Sequence, residues 1–420
     1  MKKILISIIL FAILLSLVSC TGDNMNVHYE YRLNDDLKSY SIKNALLLIS
    51  TEVVIPSTHN GLPVTNIDDK AFYGCDLLKS VVIPNSVKSI GKFAFAYCNN
   101  LTSIEIPDSV TNIGDYAFKN CNLLTRVEIG DSVNSIGHRA FEDCPSLVRI
   151  EVDNNNEHYK SIDGNLYTKN EKKLIQYAVG KKATSFTIPN SVTSIASMAL
   201  SDCIWLTNID ISNENGYYKS VDGNLYTKDG KKLIQYAVAK QDSTFTIPDS
   251  VEQIDHRAFR YCDKLSIIKI SDSVQIIGTR AFEHCTSLSN IVIPDSVTTI
   301  GNSAFENCYS LKSVIIGDSV TSIGDLTFAQ CFLLSNVIIG ECVTKIEDYA
   351  FFTCNALESI VIPESVTSIG DGAFSGCALL KSINYDGTKG QWNAIDKGKE
   401  WKFMAPATEV ICSNGTVSLK

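Results

Sequence analysis

The sequence predicts a β-rich repeat solenoid with coils of 23 residues, two β-hairpin insertions and a cap at each end. Phenylalanine recurs every 23 residues in two arrays, at Phe72, Phe95, Phe118 and Phe141, and at Phe259, Phe282, Phe305, Phe328, Phe351 and Phe374. Leu200 takes this place once, 59 residues from either array. A cysteine follows three residues after each of these eleven positions, at Cys75, Cys98, Cys121, Cys144, Cys203, Cys262, Cys285, Cys308, Cys331, Cys354 and Cys377. A fixed period of this size is typical of coils that bury an apolar face against the next coil.

The unit that begins at residue 101 illustrates how one coil is built. In "LTSIEIP" (101–107) apolar and polar residues alternate, so we predict a strand with Glu105 pointing outward. The following "DSV" is predicted to turn the chain, because Asp and Ser side chains bond nearby backbone groups. The stretch "VTNIG" (110–114) is predicted to be a second short strand, and we assign Gly114 to a turn with positive φ.

The last part of the unit contains the repeated cysteine. We predict a helical or 3₁₀ turn in "DYAFKNCNL" (115–123), which places Phe118 and Cys121 on one face. Cysteine packs as a small hydrophobe, so the eleven cysteines are predicted to form a buried ladder of free thiols. Disulfides between coils are the alternative, but Cβ atoms in register stay about 4.8 Å apart, wider than the roughly 3.8 Å of a bridge. Cys342 and Cys412 lie outside the ladder and are predicted to be unpaired with each other.

The pattern L-x-x-I-x-I-P-x-S-V-T-x-I-G-x-x-A-F-x-x-C resembles that of the BspA-like, or treponemal-type, leucine-rich repeat proteins of bacterial surfaces. The resemblance covers roughly residues 50–384 and implies a right-handed leucine-rich repeat superhelix. It also implies an adhesin that binds host matrix proteins or other microbes, without a shared catalytic residue. The fifth unit departs from the pattern, since Leu200 replaces phenylalanine and Ala196 replaces glycine.

The N-terminus predicts export. Two lysines precede an apolar run that is too short for a comfortable membrane span, as in a signal peptide at residues 1–19. The ending Leu17-Val18-Ser19-Cys20 resembles the bacterial lipobox, which predicts lipid attachment at Cys20 and a tether at 20–26. An ordinary signal peptide with a chance cysteine is the alternative. No later segment is long and apolar enough to cross a bilayer, so we expect membrane attachment through lipid chains only.

The repeats are predicted to span residues 67–383, between caps at 27–66 and 384–420. Caps are expected because an open solenoid exposes apolar ends. Trp392 and Trp401 are predicted to form a lid on the last coil, and a pair of carbohydrate-binding tryptophans is the alternative.

Two matching insertions are predicted at about 153–188 and 212–247. Alternating apolar residues around "KNEK" and "KDGK" predict a β-hairpin in each. Each hairpin is locally basic, so a secondary contact with an acidic partner is the functional alternative to a solvated tip. The candidate residues for this contact are Lys172, Lys173, Lys231 and Lys232.

The outward position of the main strand changes character along the chain. It is acidic in the first half, at Glu105, Glu128 and Glu151. It then becomes aliphatic in four successive coils, at Val292, Ile315, Ile338 and Val361. Two explanations of this aliphatic stripe are possible. The residues either reflect the β-propensity of Val and Ile on an exposed sheet, or they form a contact surface for a partner on the concave face.

No cofactor or metal site is predicted. The corner aspartates, among them Asp108, Asp295 and Asp318, are assigned to turn stabilisation, because calcium-binding β-rolls need Gly-rich nonapeptides that are absent here. Zinc is not predicted, since there is no C-x-x-C and the six histidines are scattered.

The leading function is a lipid-anchored protein of the bacterial cell envelope, exposed at the surface, that acts as an adhesin or protein-binding scaffold. The expected partner is a host matrix protein or another cell surface. Without residues 1–19 the chain has 35 basic and 46 acidic residues, a net charge of −11, which disfavours nucleic acid. Lateral self-association as a structural envelope protein is the alternative. Catalysis by a carbohydrate-active β-solenoid is disfavoured, because evenly repeated carboxylates lack the distinct environments that such sites need.

Overall fold

The computed structural model describes residues 27–47 and 51–419, so the predicted signal peptide and Cys20 lie outside the described residues. The chain divides into two compact units, Met1–Cys144 with Asp153–Glu157 and Pro145–Val152 with His158–Lys420. Each unit is a β-solenoid, as predicted. Within the described ranges, no helix has the length and apolar character needed to cross a membrane.

In the first unit, an antiparallel hairpin precedes the regular coils. The strands are β1 (Val27–Leu33), β2 (Tyr40–Leu47), β3 (Glu52–Val54), β4 (Thr58–His59), β5 (Leu62–Ile67), β6 (Ser80–Val82), β7 (Ser89–Ile90), β8 (Ser103–Ile106), β9 (Asn112–Ile113), β10 (Arg126–Ile129) and β11 (Ser135–Ile136). The short strands β5, β7, β9 and β11 continue one sheet from β2, and the long strands β8 and β10 pair in parallel. Each regular coil therefore contributes one long and one short strand.

The second unit repeats this plan with the two insertions. Its first strands are β12 (Arg149–Val152), β13 (Tyr159–Ile162), β14 (Asn165–Thr168), β15 (Lys173–Gln176), β16 (Ser185–Ile188), β17 (Ser194–Ile195), β18 (Asn208–Ile211), β19 (Tyr218–Val221), β20 (Asn224–Thr227), β21 (Lys232–Gln235), β22 (Thr244–Thr246), β23 (Gln253–Ile254), β24 (Ile267–Lys269) and β25 (Ile276–Ile277). The remaining strands are β26 (Asn290–Ile293), β27 (Thr299–Ile300), β28 (Ser313–Ile316), β29 (Ser322–Ile323), β30 (Asn336–Ile338), β31 (Lys345–Ile346), β32 (Ser359–Ile362), β33 (Ser368–Ile369), β34 (Ser382–Tyr385), β35 (Asp396–Lys397), β36 (Glu409–Cys412) and β37 (Gly415–Ser418). A short helix, Lys389–Ala394, lies between β34 and β35.

The core of each unit is a stack of aromatic rings. Neighbouring phenylalanine rings lie 4.8 to 5.6 Å apart in the first unit and 5.0 to 5.4 Å apart in the second. Aromatic residues of the caps cover the outer ends of the stacks, Tyr29 against Phe72 and Trp401 against Phe374. Trp392 is only 1% exposed, which leaves none of its ring surface for a sugar, whereas Trp401 is half-buried.

The thiol ladder is confirmed. The repeated cysteines are free, and all of them are buried except the half-buried Cys75. Burial raises the pKa of the Cys308 thiol well above its ordinary value, so this thiol stays protonated at neutral pH. Cys342 is exposed, Cys412 is buried, and both are also free.

The prediction of a helical or 3₁₀ turn around the phenylalanine is wrong. The segment consists of successive turns in which two residues are left-handed, for example Tyr116 with φ 56° and Asn120 with φ 57°. Its backbone bonds to the next coil, since the Phe118 amide donates to the Ala140 carbonyl at 2.8 Å. A spacing of i and i+3 places two side chains on one face both in a helical turn and in this series of turns, so the sequence pattern did not distinguish the two conformations.

The role assigned to Gly114 is also wrong. Its φ is not positive, and the left-handed residue is Tyr116, two positions later. Glycine is needed because the coils approach closely here, and a Cβ at Gly114 would lie 2.6 Å from the backbone nitrogen of Lys92.

The insertions are larger than hairpins. The predicted hairpin forms between β14 and β15, and again between β20 and β21, but a further antiparallel strand precedes each pair. The chain then re-enters the core through Tyr177 and Tyr236, whose amides donate to Ala199 and Ala258 as the phenylalanine amides do elsewhere. Each insertion is therefore an additional coil of 36 residues with tyrosine in the phenylalanine column.

Candidate functional site

The aliphatic stripe lies on the outward face of the long-strand sheet in the second unit. Val292 pairs with Ile315, and Ile315 pairs with Ile338, in parallel register. The strand Ser359–Ile362, which contains Val361, packs beside Asn336–Ile338. The exposed fractions are 56% for Val292, 37% for Ile315, 50% for Ile338 and 45% for Val361. Because the side-chain direction alternates along a strand, these four residues form one line on the surface.

The stripe continues further than the sequence predicted. Asn384 follows Val361 in register, and Ile411 of β36 follows Asn384 with 47% exposure. At about 4.8 Å between strands, the line from Val292 to Ile411 is roughly 24 Å long. Sequence analysis missed Ile411 because the short helix breaks the 23-residue period, although the alternation in "EVIC" was a usable signal.

A polar column borders the stripe on the same face. It contains Asn290, Ser313 and Asn336, which pair in register and each lie two positions before a stripe residue in the sequence. The Asn336 side-chain amide donates to the Ser313 hydroxyl at 2.9 Å. An apolar line with a polar border has the composition of a protein interface, in which an apolar centre is surrounded by polar groups.

The acidic column is partly neutralised by arginines. Glu105 and Glu128 face each other across β8 and β10 in the first unit. The Arg126 guanidinium lies 3.2 Å from the Glu128 carboxylate, and the Arg149 guanidinium lies 3.3 Å from that of Glu151 in the second unit. These are ion pairs along one strand, two residues apart, on a solvent-exposed surface.

The candidate lysines of the two insertions differ in their surroundings. Lys172 and Lys173 are exposed beside the first hairpin turn. In the second insertion, Lys231 lies 2.8 Å from Glu252 and Lys232 lies 2.9 Å from Asp255. The positive charge predicted for this insertion is therefore compensated locally. The role of the four lysines in binding remains a prediction.

The corner aspartates bond to backbone, as predicted, but across coils. The Asp108 carboxylate accepts the Asp131 amide, and the Asp295 carboxylate accepts the Asp318 amide, each at 3.0 Å. In the part of the chain that the structure describes, no group of three or more His, Cys, Asp or Glu side chains is placed to hold a metal ion.

Comparison with known proteins identifies the repeat. The family model described as "BspA type Leucine rich repeat region (6 copies)" matches residues 65–175, 176–225, 235–354 and 275–394. No curated protein matches the chain.

The solved structures that the chain is similar to include the following three. A leucine rich cell surface protein from Faecalibacterium prausnitzii is 30% identical, with a TM-score of 0.52, and the match covers 91% of this chain and 98% of that chain. A leucine-rich repeat protein from Eubacterium ventriosum is 25% identical, with a TM-score of 0.47 and coverage of 84% and 93%. The pneumococcal vaccine antigen PcpA is 17% identical, with a TM-score of 0.41 and coverage of 91% and 100%.

Proposed function

Because the chain belongs to the BspA-type leucine-rich repeat proteins, we propose that it is an exported surface protein that binds a protein partner through the aliphatic stripe. The observation that supports the stripe is the register of Val292, Ile315 and Ile338, which keeps three aliphatic side chains exposed side by side. Burial of each side chain would contribute about 1.5–3 kcal/mol before the costs of association. The partner is a host matrix protein or the surface of another cell.

The cell-surface location is part of the proposal. The similar protein of F. prausnitzii is described as a cell surface protein. The sequence Leu17-Val18-Ser19-Cys20 fits a lipobox, so Cys20 is the proposed point of lipid attachment. Detergent phase partition and the mass of the mature N-terminal peptide test this for the full chain. Wild type should partition with detergent as a diacylated or triacylated form, and Cys20→Ala should accumulate unprocessed in the membrane. An unmodified mature N-terminus would contradict lipid attachment.

We propose binding rather than catalysis as the activity of this chain. The family is one of repeat proteins, and the outward carboxylates of Glu128 and Glu151 are held by arginines instead of facing a cleft as a split acid–base pair.

The test of the stripe is a pair of threonine substitutions, Ile315→Thr with Ile338→Thr, in the soluble fragment 21–420. Threonine keeps β-branching and removes most of the apolar contact. We expect at least a tenfold loss of binding, about 1.4 kcal/mol, to immobilised fibronectin, fibrinogen or intact cells. Val82→Thr is the matched control, because Val82 has the equivalent outward position on a long strand of the first unit and, at 57%, is more exposed than either isoleucine.

Two results would remove the proposal. Unchanged binding by a folded double variant excludes the stripe as the contact. Light scattering of the purified fragment tests self-association. A dimer or array that dissociates in the double variant, without binding to any of the probes, would support the structural envelope protein instead.

A further inference from the structure

A recess of about 580 Å³ opens on the turn side of the second unit. It lies over Val238 and Ala239 of the second 36-residue coil. Ile204 and Trp205 of the preceding coil line one side, and Asp263 of the following coil lines the other. This recess is separate from the aliphatic stripe, which lies on the sheet.

The 36-residue coil creates the recess. In a 23-residue coil, the chain after the cysteine carries outward side chains, as Ile204 and Trp205 do after Cys203. In the 36-residue coil the corresponding chain has small residues, and the Ala239 amide donates to the Leu206 carbonyl at 2.9 Å. The backbone is thus drawn against the preceding coil, and no large side chain fills the space outside it.

The first 36-residue coil has the same backbone arrangement, but it has a lysine where the second coil has a glutamine. The Gly180 amide donates to the Leu147 carbonyl at 2.8 Å, as Ala239 does to Leu206. Lys182 then places its ammonium 5.8 Å from the centre of the Trp205 ring. The equivalent residue of the second coil is Gln241, whose side-chain amide folds back onto the Ala239 carbonyl at 2.9 Å. The second 36-residue coil therefore has no lysine at the place that Lys182 occupies in the first.

Trp205 is the aromatic platform of this recess. It is 43% exposed and lines the recess together with Thr184, and the Lys182 ammonium lies over its ring from the preceding coil. Tyr261 on the opposite side has its ring occupied, with Arg260 at 4.6 Å and His284 stacked at 5.0 Å. The indole of Trp205 is thus the aromatic surface that a ligand in the recess can reach.

The charges around the recess are balanced. Both carboxylate oxygens of Asp202 lie 2.9 Å from the Arg260 guanidinium, and Asp263 and Lys264 follow each other at the far side. Asp263 accepts the Thr286 hydroxyl at 3.0 Å. A strongly charged ligand would gain little here. An uncharged ligand that has both a flat apolar face and many hydroxyl groups matches an indole beside carboxylate, amide and ammonium groups.

From this combination we propose that the recess is a subsite for a neutral saccharide, whose ring packs on Trp205 while its hydroxyls bond to Asp263, Gln241 and Lys264. Small-molecule sites share this form, an apolar concavity with a few polar groups that fix orientation. The site would bring a glycan to the turn side of the solenoid, independent of a protein partner on the sheet.

The test is calorimetric titration of the fragment 21–420 with neutral tetrasaccharides of glucose, mannose, galactose and N-acetylglucosamine. At least one should bind and change the tryptophan fluorescence. Trp205→Ala should weaken binding at least tenfold. Gln241→Lys should weaken it similarly, because a longer charged side chain replaces the amide that lines the recess while the tryptophan is kept. Lys182→Gln is the matched control and should bind as well as wild type or better.

Circular dichroism and thermal unfolding establish that each variant is folded. Absence of binding for all four saccharides overturns the proposal. Binding that persists in both Trp205→Ala and Gln241→Lys places the sugar elsewhere and also overturns it. If Trp205→Ala weakens a protein partner and no saccharide binds, the recess is a protein contact and the proposal fails.

Discussion

The Cys308 thiol donates to the carbonyl oxygen of Phe282, 26 residues earlier, at 3.2 Å. The same bond joins cysteine to phenylalanine between other neighbouring coils, at Cys98, Cys121, Cys144, Cys285, Cys331, Cys354 and Cys377. The Phe282 amide donates to the Ala304 carbonyl of the following coil, and the Phe282 carbonyl accepts the thiol, so both polar backbone groups of Phe282 bond to that coil. Cysteine combines a small apolar volume with a weak donor, and the site uses both properties.

This bond predicts an order of stability among substitutions at Cys308. Serine retains a donor to the Phe282 carbonyl, whereas valine fills volume and cannot donate. We expect Cys308→Val and Cys308→Ala to lower the free energy of unfolding by about 0.5–1.5 kcal/mol, and Cys308→Ser to cost less, because valine and alanine remove one of the two hydrogen bonds that the Phe282 carbonyl accepts. The other bond, from the Cys285 amide at 3.1 Å, remains. Urea unfolding measures the difference. Cys342→Ala should change stability by less than about 0.5 kcal/mol. If valine is the best tolerated of the three, the cysteine acts only as an apolar filler.

The thiols should differ sharply in reactivity. In the fragment 21–420 we expect rapid native labelling of Cys342, which is exposed, while the buried thiols react only after unfolding. Burial raises the pKa of Cys75 to about 11, so its labelling at pH 8 should be slow despite partial exposure. Thiol titration with and without denaturant measures this. Cys342→Ala should abolish the fast phase, and native labelling of most thiols would contradict the buried ladder.

The sequence predicted the features that depend on period and alternation. The phenylalanine column, the buried cysteines and the outward direction of Ile315 all follow from residue spacing within one coil. The contacts between coils were less accessible. The 36-residue coils keep the Ala199 and Ala258 contacts but replace phenylalanine with Tyr177 and Tyr236, so counting phenylalanines did not find them.

Backbone conformation was the second feature that the sequence did not predict. A left-handed residue such as Tyr116 has no composition signal, because the bonds to the next coil hold it in place. The glycine requirement at Gly114 likewise comes from residues 91 and 92, about one coil away. The Trp205 recess was also missed, since it depends on how two coils of different length stack.

Close approach between coils predicts the effect of alanine at Gly301. A Cβ there would lie 2.4 Å from the backbone nitrogen of Thr279 and 2.6 Å from its Cα, and backbone atoms cannot rotate away. Gly301→Ala should therefore destabilise the second unit by about 1–3 kcal/mol in urea unfolding. Gly216→Ala is the matched control, because nothing lies within 4 Å of its Cβ position. It should be neutral or slightly stabilising. Equal effects of the two substitutions would show that packing between coils is not responsible.

Replacement of the buried Glu306 by glutamine should raise the stability of the protein in a pH-dependent way. Burial, followed by the nearby Glu283 carboxylate, raises the pKa of Glu306, while Arg280 and Arg260 oppose this. The folded state thus holds the proton more tightly than the unfolded state, and stability falls as pH rises from the ordinary glutamate range through the raised pKa. Glu306→Gln removes the penalised charge. It should be more stable than wild type at pH 7, and this advantage should vanish below about pH 4. Unfolding in urea across this pH range measures the difference in stability.

Glu283→Gln is the opposing control, because Glu283 lies 2.6 Å from Arg260 and loss of its charge should destabilise the protein at pH 7. A stability difference for Glu306→Gln that is independent of pH would contradict this account.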